Sequence, residues 1–120
     1  MDSVQVRRIY EEPLPTDGVR VLVDRLWPRG VSKERAHLDE WFKDVAPSTE
    51  LRQWYAHIPE RFAEFEERYK DELREPERAA ELTRLREFAA KGQLTILTAT
   101  KDADLSEAAV IAQVLRSTGE

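Results

Sequence analysis

Two short segments hold most of the side chains able to do chemistry. In the first, Asp24-Arg25-Leu26-Trp27-Pro28-Arg29-Gly30, a carboxylate stands beside two guanidinium groups and an indole. The second, Thr98-Ala99-Thr100-Lys101-Asp102, adds hydroxyls, an ammonium group and a second carboxylate. Arginine's planar fork grips a phosphate or carboxylate at two points, so Arg25 and Arg29, with Lys101, point to an anionic ligand. Trp27 offers a flat face for a base or sugar. If the site is catalytic, Asp24 is the general-base candidate, and Arg25 and Arg29 would stabilise developing negative charge. The competing reading makes Trp27-Pro28-Arg29-Gly30 a structural turn, its tryptophan plugging the core and its arginines paired with carboxylates. Asp24 is then a salt-bridge partner or loop cap, and Asp102 simply bends its loop.

Elsewhere the chemical vocabulary is thin. There is no cysteine, which excludes disulfides, thiolate metal sites and cysteine nucleophiles. His37 and His57 lie twenty residues apart with no metal-ligand spacing, so neither a metal nor another cofactor is expected. Ser48 follows Ala-Pro rather than sitting in a glycine-flanked elbow, which favours a helix cap over a nucleophile. Four scattered glycines make no phosphate-cradling loop.

Elements must bring the two segments together. Residues 4–10 and 19–24 read as strands, separated by a loop with two prolines and Asp17-Gly18. Ser32 is placed to cap a short helix through residues 33–36. Trp41 and Val45 suit a helix by their spacing, although Trp41, Lys43 and Val45 also fit one strand face; the helix is the preferred reading. Ser48 or Thr49 caps a helix presenting Leu51, Trp54 and Tyr55. Pro59 and Pro76 open two more, the first with Phe62, Phe65, Tyr69 and Leu73 on one side, the second ending at Lys91-Gly92. Residues 94–100 form an apolar strand, and a last helix follows, with Asp104 as N-cap and Glu107 completing a capping box.

The pattern predicts an α/β fold: a small, mostly parallel sheet of about three strands flanked by four or five helices, in a single domain over residues 1–120. Ligands of such sheets gather beyond the C-terminal ends of the strands. With strands 19–24 and 94–100 as parallel neighbours, residues 24–30 and 98–102 would meet at one rim.

Composition narrows the partners. The chain has 120 residues, 19 Lys plus Arg and 24 Asp plus Glu, for a formal charge of −5. That balance makes double-stranded nucleic acid a poor partner, because phosphate neutralisation carries most of such affinity. No apolar run approaches a membrane span and the acidic start lacks a signal-peptide pattern, so a cytoplasmic protein without a membrane partner is expected.

The run Val21-Leu22-Val23-Asp24-Arg25-Leu26-Trp27-Pro28-Arg29-Gly30 and the run Trp41-Phe42-Lys43-Asp44-Val45-Ala46-Pro47-Ser48, with Leu51-Arg52, resemble the YeaO-like family, domain of unknown function family 488. Phe65, Tyr69, Glu72 and Leu73 match its aromatic-rich middle helix, and 94–102 its late strand followed by Lys-Asp. The resemblance implies a small stand-alone protein with no established activity. It adds Lys43, Ser48 and Arg52 to Asp24, Arg25, Arg29, Lys101 and Asp102 as polar candidates for a shared pocket. Where similar proteins often carry Asn or His, this chain reads Asp104-Leu105-Ser106-Glu107. Three functions follow for test. The first is an anionic small molecule, a nucleotide or sugar phosphate, held by Arg25, Trp27, Arg29, Gly30, Ser48, Arg52, Lys101 and Asp102. The second is a non-catalytic interaction or homodimerising module. The third is single-stranded nucleic acid stacked on Trp27.

Overall fold

The computed structural model describes residues 3–117; the acidic start of the chain, at residues 1–2, and residues 118–120 lie outside it. Alternation decides the strands. Val19, Val21 and Val23 face one side of the sheet and Arg20 and Leu22 the other, and Leu94 and Ile96 alternate with Thr95 and Leu97 in the same way. Among the described residues there are four strands, β1 (Val4–Arg8), β2 (Val19–Leu22), β3 (Glu40–Trp41) and β4 (Leu94–Thr98). All pair in parallel, in the order β1-β4-β2-β3. Val4 and Val19 both sit level with Leu94, so β4 is gripped in register from both sides.

Parallel pairing demands long returns, and five helices supply them among the described residues: α1 (Lys33–Ala36), α2 (Thr49–Tyr55), α3 (Phe62–Glu72), α4 (Pro76–Lys91) and α5 (Glu107–Ser117). One sheet face meets α3, α4 and α5 over a core that includes Val21, Ile96, Phe65, Tyr69, Leu85 and Ile111. The opposite face is covered by α1 and the long loop before it, through Ile9, Leu22, Val31, Ala36 and Leu97. That second face also carries a buried ionic cluster. Asp17 accepts from Arg20 Nη1 at 2.5 Å, Arg7 Nη1 at 3.0 Å and the Leu14 N–H at 3.0 Å. Burial alone would raise its carboxyl; the Leu14 N–H, Arg20 and Arg7 outweigh that and hold it below the ordinary aspartate value. Arg20 in turn donates to the Ala36 carbonyl at 2.9 Å, closing the end of α1. Gly18, at φ +66°, turns the chain into β2; a Cβ there would overlap the Gln93 carbonyl oxygen and lie 2.8 Å from Gln93 Cβ.

Three sequence expectations change. Trp41 lies in a strand, not a helix: α1 is confined to Lys33–Ala36, and Lys43–Val45 is a 3-10 turn. The free edge of β2 decides this, because Asp39 N–H reaches the Arg20 carbonyl (2.9 Å) and Phe42 N–H the Leu22 carbonyl (2.8 Å), with Phe42 buried behind. The sheet thereby gains its fourth strand. Secondly, β1, β2 and β4 stop two residues early, at Arg8, Leu22 and Thr98. Beyond β4, the Asp24 carboxylate takes the Ala99 N–H in place of a ladder partner (2.7 Å). Thirdly, α5 starts at Glu107 after a 3-10 turn over Ala103–Leu105, and Ser106 Oγ, not Asp104, accepts the Ala109 N–H (3.3 Å). Ser32 and Ser48 cap as expected, accepting from Arg35 N–H and Leu51 N–H.

Candidate functional site

Since β2 and β4 are parallel neighbours, the loops leaving them lie side by side at the C-terminal edge of the sheet. Asp24 stitches them together. Its Oδ1 accepts from Thr98 Oγ1 at 2.8 Å and its Oδ2 from the Ala99 N–H at 2.7 Å. Both oxygens are therefore engaged in holding the two loops.

Between these loops, α2 and the start of α5 opens a cleft of about 600 Å³. Arg25, Trp27 and Arg29 form one wall, Pro47, Arg52 and Tyr55 another, with His57, Thr100 and Glu107 completing it. Among the described residues neither Arg25 nor Arg29 forms an ion pair, and both are exposed. Arg52 is anchored, its Nε on the Pro47 carbonyl (3.2 Å) and its Nη2 on Thr49 Oγ1 (3.1 Å), so its guanidinium is presented from a fixed position. A second cavity of about 670 Å³ adjoins the first and shares Tyr55, His57, Ala99 and Thr100 with it. Pro59, Lys101, Asp102 and Leu105 line its far side.

The aromatic residues brace the site. The Trp27 indole N–H donates to the Val31 carbonyl at 2.7 Å, and its ring meets Trp41 edge-on at 5.4 Å. Trp41 Nε1 donates to the Asp24 carbonyl (2.7 Å), and Tyr10 Oη to the Arg29 carbonyl (3.2 Å). Trp27 is thus a strut of the loop as well as a wall of the cleft.

Two carboxyls share this cleft. Burial raises Asp24 above its ordinary value, against the Ala99 N–H, the Thr98 hydroxyl and the nearby His57. Burial, and then the Asp24 charge, push Glu107 up to about 8, against its own backbone N–H and Arg52. At neutral pH Glu107 is therefore largely a neutral acid that can donate a hydrogen bond. Sequence reasoning missed Glu107, because the capping-box reading put it one turn inside a helix it in fact begins. Its place as first residue of a helix that follows the 98–102 segment was the available signal.

The other sequence candidates separate. Lys101 and Asp102 belong to the second cavity only. Gly30 adopts a left-handed φ of +74° in the loop and does not line the cleft. Ser48 also stands apart: its Oγ donates to Glu72 Oε2 at 2.5 Å and its N–H to Oε1 at 2.8 Å, over a separate shallow pocket. Lys43 lies over the Trp41 ring, 5.4 Å from its centroid. His57 joins the cleft wall, and both it and Ala56 have left-handed backbones, at φ +57° and +47°. Among the described residues no group of three or more His, Asp or Glu is arranged to hold a metal ion. No helix among them is long and apolar enough to cross a membrane.

The fold is that of a small α/β protein with an arginine-lined cleft at the edge of a parallel sheet. The chain belongs to the YeaO-like DUF488 family: the model described as the inactive DUF488-N3 subclade matches residues 3–120. It is 42% identical to the uncharacterized protein YeaO of Escherichia coli over 115 residues, 96% of this chain and 98% of YeaO. It is 50% identical to an uncharacterized protein of Mycobacterium tuberculosis over 112 residues, 93% of this chain and 92% of the relative. No solved structure matches it.

Proposed function

We propose that the cleft binds an anionic small molecule. One observation carries the reading: Arg25, Arg29 and Arg52 converge on one cavity, and Arg25 and Arg29 hold no carboxylate among the described residues. Unpaired guanidinium groups beside a concave wall suit a phosphate or carboxylate, and a neutral Glu107 adds a donor where a charged one would repel.

Binding is better supported than turnover. The oxygens of Asp24 are engaged by Thr98 and Ala99, which leaves it poorly placed as a general base. The hydroxyl of Ser106, at the cleft, donates to the Ala103 carbonyl at 2.6 Å and caps α5. The subclade's own description, inactive, agrees with this. Stacking of single-stranded nucleic acid on Trp27 is less favoured, since Trp41 and Val31 already engage its ring. The interaction reading is supported by exposed apolar side chains, Leu26 above all, 73% exposed at the lip of the cleft.

A two-dimensional NMR titration with inorganic phosphate and organic phosphates at low salt tests the proposal. Saturable shifts at residues 24–30, 52 and 99–100 are expected. In the doubly substituted Arg25→Ala, Arg29→Ala protein they should vanish while the rest of the spectrum stays in place. Undiminished binding by that variant would overturn the reading, as would shifts confined to other surfaces. Phosphorus NMR of the same samples should show the ligand unchanged over hours.

A further inference from the structure

The adjoining cavities deepen that reading, on which this inference rests. A phosphate group needs only the guanidinium wall, yet the cleft of about 600 Å³ continues into a second lobe of about 670 Å³. Each lobe alone is the size of a small-molecule site. The lobes differ in character. The first holds Arg25, Arg29 and Arg52; the second sets Pro59, Leu105 and Ala99 beside Thr100, Lys101 and Asp102. An apolar plate edged by a hydroxyl, an ammonium group and a carboxylate suits a flat heterocycle that needs both donors and acceptors at its rim.

His57 stands at the junction, lining both lobes. Two consecutive left-handed residues, Ala56 and His57, turn the chain there, held by Ala56 N–H on the Arg52 carbonyl and Ile58 N–H on the Tyr55 carbonyl, each 2.9 Å. The exposed imidazole touches Tyr55, 5.8 Å between ring centroids, and among the described residues it makes no hydrogen bond. It is an exposed aromatic ring, free of hydrogen bonds among the described residues, on the path between an anion wall and an apolar plate.

We infer that the ligand is a nucleoside monophosphate rather than a bare sugar phosphate, its phosphate at Arg25, Arg29 and Arg52 and its base in the second lobe against His57 and Pro59. The charged lobe sets the anion requirement and the second lobe the selectivity for a base.

Calorimetric titration of the full chain with inorganic phosphate, ribose 5-phosphate and the adenosine, guanosine and uridine 5′-monophosphates tests this. At least one nucleotide should bind about tenfold or more tightly than ribose 5-phosphate, from the stacking of its base. His57→Gly suits the left-handed backbone and removes the ring without strain. It should reduce nucleotide affinity toward that of ribose 5-phosphate and leave ribose 5-phosphate unchanged. Equal affinities for ribose 5-phosphate and every nucleotide would overturn the inference while leaving the anion site standing, as would a His57→Gly protein that weakens both alike. Failure of all five compounds to bind would overturn the anion site and this inference together.

Discussion

Replacing Glu107 with glutamine isolates the charge state of the cleft from its shape. Glutamine keeps the length and hydrogen-bonding capacity of a neutral glutamic acid but cannot ionise. In the folded protein Glu107 is pushed up to about 8 from an ordinary 4.5. Folding therefore binds its proton. The stabilisation is complete below about pH 4.5 and drains away as the pH rises toward 8. At ~1.4 kcal/mol per pH unit, that interval sets a ceiling of about 5 kcal/mol. Asp24 and Glu107 titrate as a pair, so the share removed by Glu107→Gln is smaller, about 2–4 kcal/mol. That is a large part of the ~5–15 kcal/mol that holds a domain folded. Urea denaturation at about pH 5 and about pH 9 reads it directly. Between those values the native protein should lose about 2–4 kcal/mol more stability than the variant, with the two within about 1 kcal/mol of each other at the lower pH. Parallel pH dependences would refute the reasoning, because they would mean Glu107 is ionised in the folded cleft.

Two further substitutions probe the frame behind the site. Asp17→Asn leaves Arg20 buried without its counter-ion and should cost about 3–5 kcal/mol by urea denaturation at neutral pH. Since Asp17 is held below its ordinary value, its contribution is present above that value and lost as the pH falls through the folded one, so the variant should also lose less on acidification; a cost under about 1 kcal/mol would mean the ion pair is dispensable. Gly18→Ala forces a side chain onto the Gln93 carbonyl at a positive φ and should destabilise by at least about 2 kcal/mol, whereas a melting temperature equal to the native protein's would show that the turn can rearrange.

What the sequence disclosed followed from strong local signals. Pro76 and Lys91-Gly92 bracket α4 because proline suits a first turn and glycine an ending, and the β-branched, largely apolar run of residues 19–24 marks β2 as a strand. The meeting of the 24–30 and 98–102 loops was legible because parallel neighbours must leave their C-terminal ends together. What stayed hidden depends on distant partners. Two residues of β3 exist only because β2 has an edge to fill, and no local pattern of Glu40-Trp41 says so. Ser48 reads as a helix cap from its neighbours, but that its hydroxyl is turned away from the cleft shows only once Glu72 is seen against it. Glu107 keeps its proton because folding buries it and then sets it near Asp24, far away along the chain, and neither shows before the fold closes.

The order of the sheet has a consequence for how the chain is made. β4 lies between β1 and β2, yet it is the last strand to be synthesised, about 90 residues after the first. Until it emerges from the ribosome, β1 has no neighbour and β2 has only the two residues of β3, so both offer open edges to other chains. Beyond the short β2–β3 pair the sheet cannot assemble during translation; its centre closes in one late step, across long intervening chain. Any chain stopped before Leu94 carries most of the helices and three of the strands and still has no centre.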